Sequence, residues 1–212
     1  MPTNSSWTKA QRHLSRAHPA MKRIITRVGP CKLRRRRDYF PILCHSIFAQ
    51  QLSTKIANIL FARFQKLFPR GRITPARVIK LLRPGANEAK LKGVGLSRQK
   101  RACLLDLARH FERGEIPTRK FARMGDEEII ETLTKVNGIG RWTAEMFLIF
   151  VLNRPDLWPV DDLGLREGIK RLNKLPDRPK PKDCIANGDC FRPYRSIATW
   201  YLWRSLSLNS QS

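Results

Sequence analysis

The 212-residue chain is short of negative charge: 17 Asp and Glu stand against 42 Lys and Arg, a formal net charge of +25. That deficit argues against a basic partner and points to a polyanion, because counterion release from nucleic acid rewards such a charge most. It does not choose between an enzyme and a ribosomal or architectural protein. Period-two alternation is missing at any useful length, so the chain is expected to be all-α, with about ten helices. No apolar run approaches the roughly 20 residues that span a bilayer, and the N-terminus lacks the apolar core of a secretion signal, so no membrane partner is expected. Cys31, Cys44, Cys103, Cys184 and Cys190 are odd in number and form no Cys-x-x-Cys pair. Reduced thiols are the simplest account, and neither a zinc site nor a four-cysteine iron–sulfur loop can be written from those spacings. His13, His18, His45 and His110 show no ligand spacing either. Residues 1–37 contain no acid at all, the composition of a mitochondrial transit peptide. The length suits one domain or two small lobes sharing a core.

What the chain does have is centred on Leu133 to Glu145, where Val136-Asn-Gly-Ile-Gly-Arg-Trp-Thr-Ala144 joins two helices. The first, from Asp126 to Leu133, carries acids in its opening turn, where the helix dipole favours them. The second, from Arg141 to Leu152, is apolar on every side of its later turns and is expected to be buried. Gly138 and Gly140 permit a tight turn with positive φ and leave backbone N–H groups bare at a helix start, which is an anion site. An ordinary helix connection with a Gly stop explains the same pattern. Leu91-Lys-Gly-Val-Gly95 reads as a weaker turn of the same kind. Helices are also expected over Lys9–Ala17, Met21–Val28, Pro41–Gln51, Ser53–Phe68, Thr74–Leu82, Arg98–Phe111, Leu163–Leu172 and Tyr194–Leu206, with Ser53 and Ser97 as caps. The stretch after Thr74-Pro75 stops at Arg83-Pro-Gly85, Pro176 to Asp189 reads as a loop, and residues 1–8 read as loose. Lys32-Leu-Arg-Arg-Arg-Arg37 is either a solvated loop or a phosphate contact.

Trp158-Pro-Val-Asp-Asp-Leu-Gly-Leu165 places Asp161 and Asp162 at a helix start. Capping explains one Asp well and the second less well. Hairpin, glycines and a Pro before Asp, in this order, resemble the helix-hairpin-helix DNA glycosylase superfamily, and in detail its 3-methyladenine DNA glycosylase II branch. The resemblance also includes Val28-Gly-Pro-Cys31, Ala49-Gln-Gln-Leu-Ser53, Gly95-Leu-Ser97 with Lys100, Arg192-Pro-Tyr-Arg-Ser196 and Trp200-Tyr-Leu-Trp203. It covers nearly the whole chain, and because Val28 to Cys31 falls inside it, the transit-peptide reading weakens.

The resemblance implies a two-lobed, all-helical fold with the active-site cleft between the lobes. Residues 1–40 are expected to pack with the C-terminal lobe at 154–212, and 41–153 to form a central lobe carrying the hairpin 133–145. Asp162 matches the family's catalytic carboxylate and Asp161 its less essential neighbour. Trp142 and Trp203 match walls of the base pocket, and Gln51 falls at the wedge that fills the gap left by a flipped nucleotide. Gly138, Gly140 and Thr143 fall where the DNA backbone is bound. The carbonyls of Thr134, Val136 and Ile139 are where a structural monovalent cation, Na+ or K+, is held; no other cofactor is implied. Asn137 replaces the usual Pro of the hairpin, which is expected to loosen the turn. The implied partner is double-stranded DNA with alkylated bases, bound by a monomer in the cytoplasm, at the nucleoid of a bacterium or in the nucleus of a eukaryote.

The chemistry so implied is base excision. A damaged base must leave the stack to be reached, an alkylated purine carries positive charge that suits Trp faces, and a carboxylate stabilises the oxocarbenium character of the breaking N-glycosidic bond. Relatives that also cut the strand carry a Lys where Trp142 stands; Trp cannot form a Schiff base, so a monofunctional glycosylase is expected. Two alternatives stay open: a glycosylase for hypoxanthine or an oxidised base, and a noncatalytic DNA-binding module in which Asp161 and Asp162 only cap. Core packing competes for Trp142, and more strongly for Trp203 beside Trp200 and Tyr201.

Overall fold

The computed structural model describes residues 4–208 apart from 84 and 86, with side chains from residue 7. Residues 1–3 of the stretch expected to be loose, and Pro84 of the expected helix stop, lie outside the described residues. Among the described residues there are helices and no strands. In chain order they are α1 (Asn4–Ala17), α2 (Pro19–Val28), α3 (Tyr39–Ala49), α4 (Thr54–Lys66), α5 (Pro75–Leu81) and α6 (Glu88–Val94). There follow α7 (Arg98–Glu112), α8 (Asp126–Thr134), α9 (Arg141–Phe147), α10 (Leu163–Asn173), α11 (Pro181–Asn187) and α12 (Arg195–Leu208). No described helix is long and apolar enough to cross a membrane.

The chain divides into two compact units, one of residues 1–35 with 148–212 and one of residues 36–147. In the first, α12 is the spine, with every residue from Ser196 to Leu202 buried. Gly168 of α10 lies where a Cβ would come within 2.7 Å of the Leu202 Cβ, so a side chain there would push α10 off α12. The Tyr201 hydroxyl donates to the Gly29 carbonyl (2.9 Å) and accepts from Gln11 Nε2 (2.6 Å), which joins α12 to α1 and to the end of α2. Trp7 Nε1 donates to the Leu33 carbonyl (3.0 Å), tying down the approach to the arginine run. Arg34 to Arg37 themselves are exposed.

The second unit is built on α3, whose Phe40, Leu43, Cys44, Ile47 and Phe48 are all buried. Phe48 meets Phe61 and Phe64 at 5.5 and 5.2 Å between ring centroids, favourable tilted and edge-on contacts. Ser53 caps α4 and Ser97 caps α7 through their hydroxyls, as expected. Thr74 precedes Pro75 at the start of α5 but makes no side-chain cap bond.

Four local expectations need correction. α1 begins at Asn4 rather than Lys9, since Asn and Ser are residue types favoured at helix starts. Leu91 to Val94 are the end of α6 and not part of a turn; the turn that joins α6 to α7 is Gly95 to Ser97, where Gly95 at φ 76° stops α6 with its N–H on the Lys92 carbonyl. Within the expected loop, Pro181 opens α11, where its fixed φ suits the first turn, and Cys184 is buried. The apolar stretch after Arg141 is α9 followed by a π-helical turn, Leu148–Leu152.

Candidate functional site

Asp162 sits at the N-cap of α10, where its Oδ1 accepts the N–H of Leu165. The same oxygen accepts the indole N–H of Trp203 at 2.7 Å. Asp162 is only 5% exposed, whereas Asp161 beside it is exposed. Trp203 packs on Phe150 with ring centroids 5.5 Å apart. Gly164 permits the approach, since a Cβ there would fall 3.0 Å from Trp203 Nε1 and 3.2 Å from Asp162 Oδ1. Trp200 and Tyr201 are the buried core members of that cluster, and Trp203 is the one turned to the carboxylate.

The segment leading to Asp162 is pinned along its length. The Arg195 guanidinium makes two bonds to the Asp156 carboxylate, Nε to Oδ1 at 2.8 Å and Nη2 to Oδ2 at 3.0 Å, and its backbone N–H adds a third to Oδ1 at 3.2 Å. Ser196 Oγ accepts the N–H of Leu157 (2.9 Å), and the Trp158 indole donates to the Cys184 carbonyl (2.8 Å). Arg192-Pro-Tyr-Arg-Ser196 thus anchors the run into Asp162. An Arg–carboxylate fork fixes direction as well as distance, which suits a group that must be aimed.

The hairpin belongs to the other unit. Val136 and Ile139 are buried, and the Ile139 N–H donates to the Val136 carbonyl at 3.0 Å. Gly138 has φ +84° and Gly140 does not have positive φ, so only the first glycine is needed for its conformation. At Gly138 a Cβ would also fall 2.5 Å from Cys103 Sγ. The N–H groups of Gly138 and Gly140 have no acceptor among the described residues. Arg141 closes the base of the hairpin through a fork to Glu127 at 2.6 and 2.7 Å, which holds the Glu127 carboxyl below its usual range. Asn137 does not leave the turn loose, as its replacement of Pro suggested. Its N–H, which Pro lacks, donates to Asp106 Oδ2 at 2.8 Å and ties the turn to α7. Trp142 is 45% exposed at the start of α9, so core packing does not account for it. Thr143 is buried at 7% exposure, so it presents a first-turn backbone N–H more readily than its hydroxyl. The carbonyls of Thr134, Val136 and Ile139 lie in this turn, and a carbonyl already accepting one bond, as Val136 does, keeps a second lone pair. Among the described residues no cluster of three or more His, Cys, Asp or Glu could hold a metal.

Gln51 follows α3 and is exposed, with φ +59°. That conformation is uncommon for a residue with a side chain. Two neighbours that the sequence did not assign hold the loop. Lys100 Nζ donates to the carbonyls of Phe48 (2.7 Å) and Gln50 (2.9 Å), and burial pushes its ammonium below the usual lysine range. Gln50 Nε2 donates to the Gly138 carbonyl at 2.5 Å. Lys100 and Gln50 stood in the quoted motifs, but contacts 50, 52 and 88 residues apart leave no local signal.

A match to the HhH-GPD superfamily of base excision DNA repair proteins spans residues 44–189. DNA-3-methyladenine glycosylase 1 of Schizosaccharomyces pombe is 36% identical over 96% of this chain and 90% of its own. The alkylbase DNA glycosidase-like protein mag2 of the same organism is 29% identical, covering 96% of each chain. Among solved structures, the Schizosaccharomyces pombe 3-methyladenine DNA glycosylase in complex with abasic DNA superposes with a TM-score of 0.81 at 35% identity, over 94% of this chain and 97% of that one.

Proposed function

The chain belongs to the HhH-GPD superfamily of base excision DNA repair proteins, and we propose that it is a monofunctional DNA glycosylase that removes alkylated purines of the 3-methyladenine and 7-methylguanine type from duplex DNA. Asp162 carries this assignment: it is a buried carboxylate aimed by an N-cap bond and by the Trp203 indole. Capping alone does not call for the second donor.

The damaged nucleotide leaves the stack, and Gln51 fills the space it vacates. The hairpin amides of Gly138 and Gly140, with the first turn of α9, seat a DNA phosphate. A purine methylated at N3 or N7 is cationic, so it favours an indole π-face such as that of the exposed Trp142 and leaves without prior protonation. As the N-glycosidic bond breaks, its electron pair neutralises the departing base and positive charge grows on the sugar. Asp162 stabilises that charge and orients the water, whose oxygen bonds to C1′ and whose proton is lost. Trp142 offers no amine, so no Schiff base forms and the product is an intact strand with an abasic site.

The carbonyls of Thr134, Val136 and Ile139 are the donor set for a monovalent cation, which would add positive charge beside the seated phosphate. Replacing Na+ and K+ by choline at constant ionic strength tests it through DNA affinity. The protein acts as a monomer on the genome, at the nucleoid or in the nucleus; sedimentation of the protein–DNA complex tests the stoichiometry.

Methylated duplex DNA incubated with the purified protein tests the assignment, with free bases separated by chromatography and strands examined with and without alkali. Release of methylated purines with breaks only after alkali is expected. Breaks without alkali contradict the monofunctional assignment. Release of hypoxanthine or oxidised bases in place of methylated purines contradicts the substrate class.

A further inference from the structure

A side chain that enters DNA must keep its shape against the stack, and a loose loop would spend interaction energy on becoming ordered. Gln51 stands in a left-handed conformation directly after α3, whose last carbonyls have no partner within the helix. Three bonds from outside the loop hold this stretch: Lys100 Nζ on the Phe48 and Gln50 carbonyls, and Gln50 Nε2 on the Gly138 carbonyl. Lys100 lies on α7, and Gly138 is the glycine with positive φ in the hairpin turn. Loop, hairpin and α7 are therefore one hydrogen-bonded assembly within a single unit.

We propose that Gln50 and Lys100 are positioning residues that fix the Gln51 wedge and couple it to the phosphate-binding hairpin, so that extrusion of a paired base depends on them. The assignment rests on Gln51 being the wedge. Neither residue touches the reacting atoms; each acts through the backbone at 48–51 and at Gly138. Gln50→Glu keeps the shape of the side chain but replaces the donor facing Gly138 with an acceptor, so packing survives while the tether is lost.

The experiment measures single-turnover release of one 7-methylguanine from a duplex, placed either opposite cytosine or opposite an abasic site where little pairing must be broken. Gln50→Ala, Gln50→Glu, Lys100→Met and Gln51→Ala are compared with the unsubstituted protein, and 2-aminopurine beside the lesion reports unstacking by its fluorescence. Gln50→Ala and Gln50→Glu are expected to slow release opposite cytosine by about five- to tenfold, the worth of a hydrogen bond. Opposite the abasic site the rate stays within about twofold, and DNA affinity is unchanged. Lys100→Met follows the same pattern more strongly; should it fail to fold, the two Gln50 variants decide alone. Equal slowing in both contexts, or none, in the Gln50 variants overturns the coupling. A context-dependent loss in Gln51→Ala but not in the Gln50 variants overturns it while leaving the wedge intact. Absence of that loss in Gln51→Ala removes the wedge on which the coupling rests, and no release by the unsubstituted protein removes the excision activity itself.

Discussion

Trp203 combines the packing that was weighed for it with a hydrogen bond that was not expected. Its ring packs on Phe150, and its indole N–H holds Asp162 at 2.7 Å. Trp203→Phe keeps an aromatic face and removes the donor. Because a hydrogen bond to a charged group is worth about 1.5–3 kcal/mol, single-turnover excision is expected to fall by roughly ten- to a hundredfold with DNA affinity unchanged. An unchanged rate would reduce Trp203 to a packing residue. That carboxylates lead α10 was legible in the residues, whereas the choice of Asp162 over Asp161 came from the family resemblance. The indole bond was not legible, because residues 162 and 203 meet only once α10 and α12 are packed. Gln51 shows the same limit in the backbone: no composition rule gives a glutamine a positive φ.

The hairpin between α8 and α9 separates its two glycines. At Gly138 an alanine would combine positive φ with a Cβ 2.5 Å from Cys103 Sγ, whereas at Gly140 nothing lies within 4 Å of such a Cβ. Gly138→Ala is expected to cost about 1–3 kcal/mol, and Gly140→Ala within about 1 kcal/mol, as read by urea unfolding. Comparable losses would contradict the turn geometry. Helix starts and stops were readable where a cap or a charge pattern marked them, as at Ser53, Ser97 and the acids of α8. α6 and α11 were missed because each is only seven residues long, too short for a helical period to show, and their helicity rests on tertiary support such as buried Leu91, Val94 and Cys184. α12 carries a pH signature. Burial pushes the Tyr201 phenol up to about 12 and the nearby Cys31 thiol up to about 11. In the unfolded chain these groups ionise near their ordinary 10.0 and 9.0. The unfolded state therefore sheds protons first, and stability that is full below those values is lost as pH rises through the folded ones. Tyr201→Phe is expected to lower stability at pH ~8, where it loses two hydrogen bonds, and to flatten the alkaline fall. An unchanged alkaline slope would contradict the account of Tyr201.

The protein as a unit of charge, +25 over 212 residues, predicts how it holds its substrate. If about six phosphates are neutralised, affinity for duplex DNA falls by about a thousandfold between roughly 50 and 200 mM salt. Fluorescence anisotropy across that range measures it, and a shallow slope would mean that most of the charge lies away from DNA. The all-helical class and the nucleic-acid partner were legible from what the chain lacks, because charge and periodicity are summed over many residues. The tether of Asn137 to Asp106 and the three bonds around Gln50 were not, because each depends on one side chain meeting a backbone group far away in sequence, brought together by folding. The central claim is that Asp162 performs chemistry and does not merely cap α10. Asn caps a helix as well as Asp and can still accept from Leu165 and Trp203, so Asp162→Asn removes the charge with little else. Single-turnover release of 7-methylguanine and affinity for the same duplex, measured together, decide between the roles. Excision reduced about a hundredfold or more at unchanged affinity and melting temperature is the predicted result; excision at the unsubstituted rate would contradict it and leave Asp162 a cap.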